Sequence, residues 1–87
     1  MANLQLPPTL RPLFPDLPRR VEIDATTVLE ALKRLEERWP GVWDRLCEPG
    51  PALRTHIHVY VDRERAALDT PIQPGSLVHV IAAISGG

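Results

Sequence analysis

Apolar and polar residues alternate from the start of the chain. Ala2, Leu4 and Leu6 fall on one side and Asn3 and Gln5 on the other, the period of a strand with one buried face. Pro7-Pro8 ends or edges that strand, because proline cannot donate to a sheet ladder. Residues 7–18 hold five of the ten prolines and are expected to form an extended turn. Alternation resumes at Arg20-Val21-Glu22-Ile23, with Val21 and Ile23 inward. The two segments therefore predict an antiparallel hairpin closed by a proline-stiffened loop.

The period then changes to that of a helix. Val28, Leu32, Leu35 and Trp39 recur at helical spacing, and Leu29 widens the stripe. Thr27-Val28-Leu29-Glu30 fits a capping box, in which the threonine oxygen accepts an early amide and the glutamate reaches back. Pro40-Gly41 stops the helix. A short second turn from Val42 to Leu46 is expected to pack Trp43 or Leu46 on the core before Pro49-Gly50-Pro51 breaks it. From His56 the period returns to two: Ile57, Val59 and Val61 on one face, His56, His58 and Tyr60 on the other. Asp62-Arg63-Glu64-Arg65 reads as a polar turn, Ala66 to Leu68 as a short returning strand, and 77–82 as the last strand. The order β-β-α-β-(β)-β places a helix between two strand pairs. The right-handed crossover rule then gives an α+β fold, a mixed sheet packed on one main helix with the final strand in its centre.

Composition narrows the classes of function. At 87 residues the chain is one small domain, in which a core and a buried cofactor would compete for little space. This argues against a self-contained enzyme. A net charge of −1, with ten basic residues scattered among eleven acidic ones, lacks the basic stripe that nucleic acid requires. There is no apolar run long enough for a membrane span and no signal-peptide pattern, so a cytoplasmic protein without membrane or nucleic-acid partners is expected. One cysteine, Cys47, excludes an internal disulfide framework.

Few side chains carry a catalytic pattern. His56 and His58 share a strand face, but two histidines without spaced Cys, Asp or Glu partners make no metal site, so none is expected. Cys47 lacks an activating basic cluster and reads as a packed thiol. Trp39 and Trp43, four apart at a helix end, read as core; Arg11 and Arg54 could meet the acidic surface of a partner enzyme, with solvated arginine the simpler reading. The informative segment is the end. After Asp69 the only charge-bearing groups are His79 and the terminal carboxylate, and the chain closes on Ala83-Ile84-Ser85-Gly86-Gly87. Two glycines without Cβ atoms could thread a narrow slot and adopt conformations closed to other residues. Residues 1–83 are thus expected to form the domain and 84–87 a flexible tail with a reach of about 13 Å.

These pieces together resemble the ubiquitin-like β-grasp sulfur carriers, the group of molybdopterin synthase small subunits and the thiamine- and cysteine-pathway carriers. The resemblance rests on Leu6-Pro7 with Leu10-Arg11-Pro12-Leu13, the Val28–Trp39 helix, and His58-Val59-Tyr60-Val61-Asp62. It continues through Leu68-Asp69-Thr70-Pro71 and Pro74-Gly75 to Val80–Gly87. Leu-Arg-Pro and the long Trp39–Leu53 connection look closest to actinobacterial-type cysteine-pathway carriers. Members often carry Asn where His58 and Asp62 stand, and several have Gly in the turn that here reads Arg63-Glu64-Arg65.

The resemblance implies a carrier with no bound cofactor. A ubiquitin-activating-type adenylating enzyme would use ATP to convert the Gly87 carboxylate into an acyl adenylate. A sulfur donor protein would then leave a thiocarboxylate, while Ala83, Ile84, Ser85 and Gly86 bind the partner's channel. The implied acceptor is a pyridoxal-phosphate cysteine synthase, with the large subunit of molybdopterin synthase as the alternative. A ubiquitin-like modifier conjugated through Gly87 and a plain interaction domain are the readings from other classes.

Overall fold

A computed structural model describes residues 1–83. Strand β1 (Ala2–Gln5) pairs antiparallel with β2 (Arg20–Ile23), Ala2 opposite Ile23 and Gln5 opposite Arg20. The alternation is realised: Ala2, Leu4, Val21 and Ile23 are buried, and their neighbours face outward. The proline-rich connection differs from the extended turn expected. A single 3-10 turn at Pro8–Leu10 begins it, followed by amide bonds from Phe14 to Leu10 and from Leu17 to Phe14. Proline's fixed φ suits the first positions of a helical turn. The compact path folds Leu10 and Leu17 into the core.

Helix α1 (Val28–Arg38) buries Val28, Ala31, Leu32 and Leu35, with Leu29 and Trp39 at the margins of the stripe. Its capping differs in detail from the expected box. Thr27 Oγ1 accepts from Glu30 N at 3.1 Å, but the Glu30 carboxylate accepts from Thr26 N at 2.6 Å, one residue before the cap. The extended Thr27 is bridged to Pro71, and Ile72 N donates to Thr26 O. The loop beyond β6 completes the cap, because Val28 N donates to Thr70 O and Leu29 N to Leu68 O. The first-turn amides that every helix leaves unpaired are thus met from a distant part of the chain.

Gly41, with φ of +102°, turns the chain into α2 (Val42–Leu46), which buries Val42 and Leu46 and leaves Trp43 half-buried. An added Cβ at Gly41 would lie 3.3 Å from the Phe14 ring in a backbone conformation that disfavours it. The Glu36 carboxylate reaches from α1 across this turn. It accepts from Gly41 N at 2.9 Å and from Trp43 N at 2.8 Å. A two-residue ribbon then follows, β3 (Cys47–Glu48) with β4 (Ala52–Leu53), folded around Pro49-Gly50-Pro51. The sequence reading has only a break here, since two residues cannot display a strand period.

Strand β5 (Ile57–Val61) and β6 (Glu64–Ala66) form a hairpin whose turn is just Asp62-Arg63, both at positive φ. The polar turn expected over 62–65 and the strand expected at 66–68 are therefore displaced. Glu64 and Arg65 belong to the strand, and Leu68 lies in the turn that Thr70 N closes on Ala67 O. A two-residue turn with both φ positive matches the right-handed twist of the strands it joins. Last comes β7 (Leu77–Ala82), parallel to β1 and antiparallel to β5. The five-stranded sheet runs β2-β1-β7-β5-β6, so the final strand is central, as the crossover argument requires. Val59, Val78 and Val80 face α1's side of the sheet and are wholly buried. The fold is an α+β β-grasp.

Candidate functional site at the exit of the last strand

The central strand decides where the chain's end leaves the body. Ala83 N donates to His56 O at 2.8 Å, which extends the β5–β7 ladder one residue past Ala82. Ala83 is exposed, and it is the one expected site residue whose placement is described. Ile84, Ser85, Gly86 and Gly87 lie outside the described residues.

Three segments surround Ala83. The turns after β1 bring Leu10 and Leu13, α2 brings Arg45, and the start of the β5–β7 pair brings His56 and Ala82, around a cleft of about 200 Å³. Leu13 is 50% exposed, one of two large apolar side chains left open to solvent among the described residues. A second cleft adjoins the first through Arg45 and His56 and is lined also by Asp44, Arg54 and Phe14. Arg54 is fixed there: its Nε donates to Asp44 O at 2.7 Å and its main-chain N to Leu46 O at 3.0 Å. Arg54, expected either solvated or against a partner's acidic surface, stands here beside two residues that the sequence does not single out, Arg45 and Leu13. Their only signal is the Leu10-Arg11-Pro12-Leu13 motif and the length of the Trp39–Leu53 connection.

The histidines do not assemble a metal centre. His58 Nδ1 accepts from Arg65 Nη2 at 2.8 Å, since a guanidinium can only donate. His79 lies opposite Tyr60 and beside Gln5 on the outer face of the sheet. Among the described residues no group of three or more His, Cys, Asp or Glu could hold a metal ion. Cys47 is buried, and desolvation pushes its thiol up to about 11 although the Arg54 charge pulls the other way. Such a thiol is a packing group. Trp39 and Trp43 pack against the core, and Arg38 lies over the Trp39 ring at 4.8 Å. No described helix is long and apolar enough to cross a membrane.

The model of the ThiS family matches residues 8–87, all but the first strand. The chain belongs to the ThiS family. Solved structures superpose over nearly its full length. A chain of the BexX/CysO complex from Amycolatopsis orientalis is 27% identical with a TM-score of 0.88, covering 100% of both chains. CysO from Mycobacterium tuberculosis, described as an antigen, shares the fold at a TM-score of 0.83 and 24% identity, covering 97% of this chain and 100% of its own. Small archaeal modifier protein 1 of Haloferax volcanii is 26% identical with a TM-score of 0.76, over 95% of this chain and 97% of that one. No curated protein matches the chain.

Proposed function

We propose that this ThiS-family chain is a sulfur carrier whose reactive group is the Gly87 α-carboxylate. The observation that carries the reading is the family match through residue 87, joined to a central β7 that brings Ala83 to an open cleft. The carboxylate oxygen attacks the α-phosphorus of ATP in a ubiquitin-activating-type enzyme, and pyrophosphate leaves. A sulfur donor protein supplies a sulfide equivalent to the acyl carbon, and AMP leaves with the bonding pair. The product thiocarboxylate is a soft nucleophile at neutral pH, a group carrier built from main chain. The carrier itself binds no cofactor and performs no catalysis; it is the substrate of enzymes that supply the chemistry.

Glycine at 86 and 87 suits this task, because a chain without Cβ atoms fits a slot that closes on the acyl carbon from all sides. Ala83, Ile84 and Ser85 would bind the mouth of that slot through main-chain bonds and small contacts. Full-length likeness to CysO favours a pyridoxal-phosphate cysteine synthase as acceptor, where the thiocarboxylate attacks an activated serine derivative. Molybdopterin synthase is the alternative acceptor. Incubation with ATP, sulfide and the adenylating enzyme of the same organism tests the proposal by intact mass. Exchange of one oxygen for sulfur at Gly87 is the expected result, and its loss on deletion of Gly87 the control. An unchanged mass under conditions where the enzyme activates its other carriers would overturn it.

A second reading follows from the likeness to small archaeal modifier protein 1. The same acyl adenylate can pass to a target lysine, giving an isopeptide through Gly87. Peptide mapping of cell extracts for Gly-Gly adducts distinguishes the two outcomes.

A further inference from the structure

The sulfur-carrier reading puts strong demands on the surface around Ala83. Four residues separate Ala83 from the end of the chain, a span of about 13 Å when extended. Any enzyme acting on Gly87 must therefore bring its active-site mouth against the end of the domain from which β7 leaves. That end has a distinct character. Leu13 and Met1 are the two large apolar side chains that stand exposed among the described residues, and only Leu13 is at this end. Arg45, Arg54 and His56 gather around the two adjoining clefts, opposed within them by Asp44 alone. Arg54 is held in place by its bond to Asp44 O, so its charge is presented without a further cost in ordering. Arg45 lies within the Trp39–Leu53 connection and Arg54 directly follows it; the connection's fully buried residues are Val42, Leu46 and Cys47.

We propose that Leu13, Arg45, Arg54 and His56 form a docking collar around the root of the tail, which seats the carrier on the adenylating enzyme. The enzyme's mouth would carry carboxylates facing Arg45 and Arg54 and an apolar seat for Leu13. The collar rests on the proposed activation of Gly87, and it assigns that step a recognition surface outside the tail. Charge in the rim steers encounter, and the apolar anchor slows release.

Three substitutions and one deletion test it against the purified adenylating enzyme of the same organism, with binding measured by calorimetry and turnover by ATP–pyrophosphate exchange. Arg45→Glu and Leu13→Asp change exposed side chains, and their melting curves should match the wild type. Each should weaken binding by about tenfold or more, and Arg45→Glu should flatten the salt dependence. Lys33→Glu, an equal charge change on the exposed side of α1 and away from both clefts, should bind as the wild type does. Deletion of Gly87 should abolish exchange while leaving most of the binding. That separates the two ideas: wild-type exchange without collar effects sinks the collar alone, and a wild type that binds but is never activated sinks the carboxylate chemistry. Backbone NMR of the complex gives an independent answer. Broadening at residues 7–13, 45–56 and 82–83 supports the collar. Broadening confined to Tyr60, Leu77 and His79 on the open sheet face would overturn it.

Discussion

Arg63 sits at φ of +77°, in the second position of the two-residue turn between β5 and β6. A side chain there costs roughly 1–2 kcal/mol, because Cβ crowds the following carbonyl. Its neighbour Asp62, at φ of +50°, offsets the strain it bears. The Asp62 carboxylate accepts from Leu77 N at 2.9 Å and from Ser76 Oγ at 3.0 Å, and Asp62 N donates to Leu77 O. Those bonds staple the hairpin to the start of β7. Arg63 has no comparable tie among the described hydrogen bonds. Arg63→Gly should therefore stabilise the protein by about 1 kcal/mol, a rise of roughly 4–8 °C in melting temperature for a domain of this size. Asp62→Gly, which also relieves strain but removes the staple, should lower it. Cys47 gives a residue-scale prediction in pH. Its folded-state thiol titrates near 11 against an ordinary 9.0. Below pH 9 folded and unfolded chains both hold the proton and the thiol's contribution is fully present. Between 9 and 11 only the unfolded chain releases it, so stability falls by on the order of 2 kcal/mol. The stability advantage of wild type over Cys47→Ala should shrink by that amount in urea titrations run from pH 8 to pH 11. A constant difference across that range would show that burial does not hold the proton.

Elements whose length exceeds their period are the ones legible in the sequence. Eleven residues of α1 repeat the stripe three times, and β1, β2, β5 and β7 each show at least two inward residues. The ribbon of β3 and β4 has two residues a side, and the turn at Pro8–Leu10 has three, so neither can announce itself by periodicity. The displaced turn at 62–63 is a different failure. Asp62-Arg63-Glu64-Arg65 is uniformly polar because β6 is an edge strand whose residues stay exposed or half-exposed, and composition cannot separate an exposed strand from a loop. Glu36 was equally hidden: a glutamate on a helix reads as solvated until α2 is seen to begin under it. Its carboxylate accepts from Gly41 N and Trp43 N, the amides that would otherwise start α2 without a partner. Glu36→Ala should cost about 1–3 kcal/mol, the range for hydrogen bonds to a charged acceptor lost at a part-buried site. Since α2 carries Arg45, hydrogen exchange should quicken across residues 41–46 in this variant before it quickens in β5 or β7. Uniform exchange throughout the molecule would mean that α2 has no separate anchoring.

At the scale of the molecule, sequence order was enough to place β7 centrally, because one helix between two strand pairs leaves the crossover rule a single comfortable solution. The surroundings of Ala83 were not legible. Leu13, Arg45 and His56 lie far apart along the chain and share no period; only the packing of α2 and the proline-rich turns against the end of the sheet brings them together. The same architecture separates stability from function. Every buried hydrophobic residue of the described body lies at or before Val80, and the ladder's last described bond is Ala83 N to His56 O. A chain ending at Ala83 keeps that bond and the whole of this core. It should melt within about 2 °C of the full chain, a few tenths of a kcal/mol. Leu35→Ala, which empties the centre of the α1–sheet contact, should by contrast cost about 2–5 kcal/mol. Thermal unfolding of the truncated and full-length proteins side by side provides the check. A drop in the truncated chain approaching that of Leu35→Ala would mean that residues 84–87 contribute to the core, and a tail built into the core could not be the group lent to a partner enzyme.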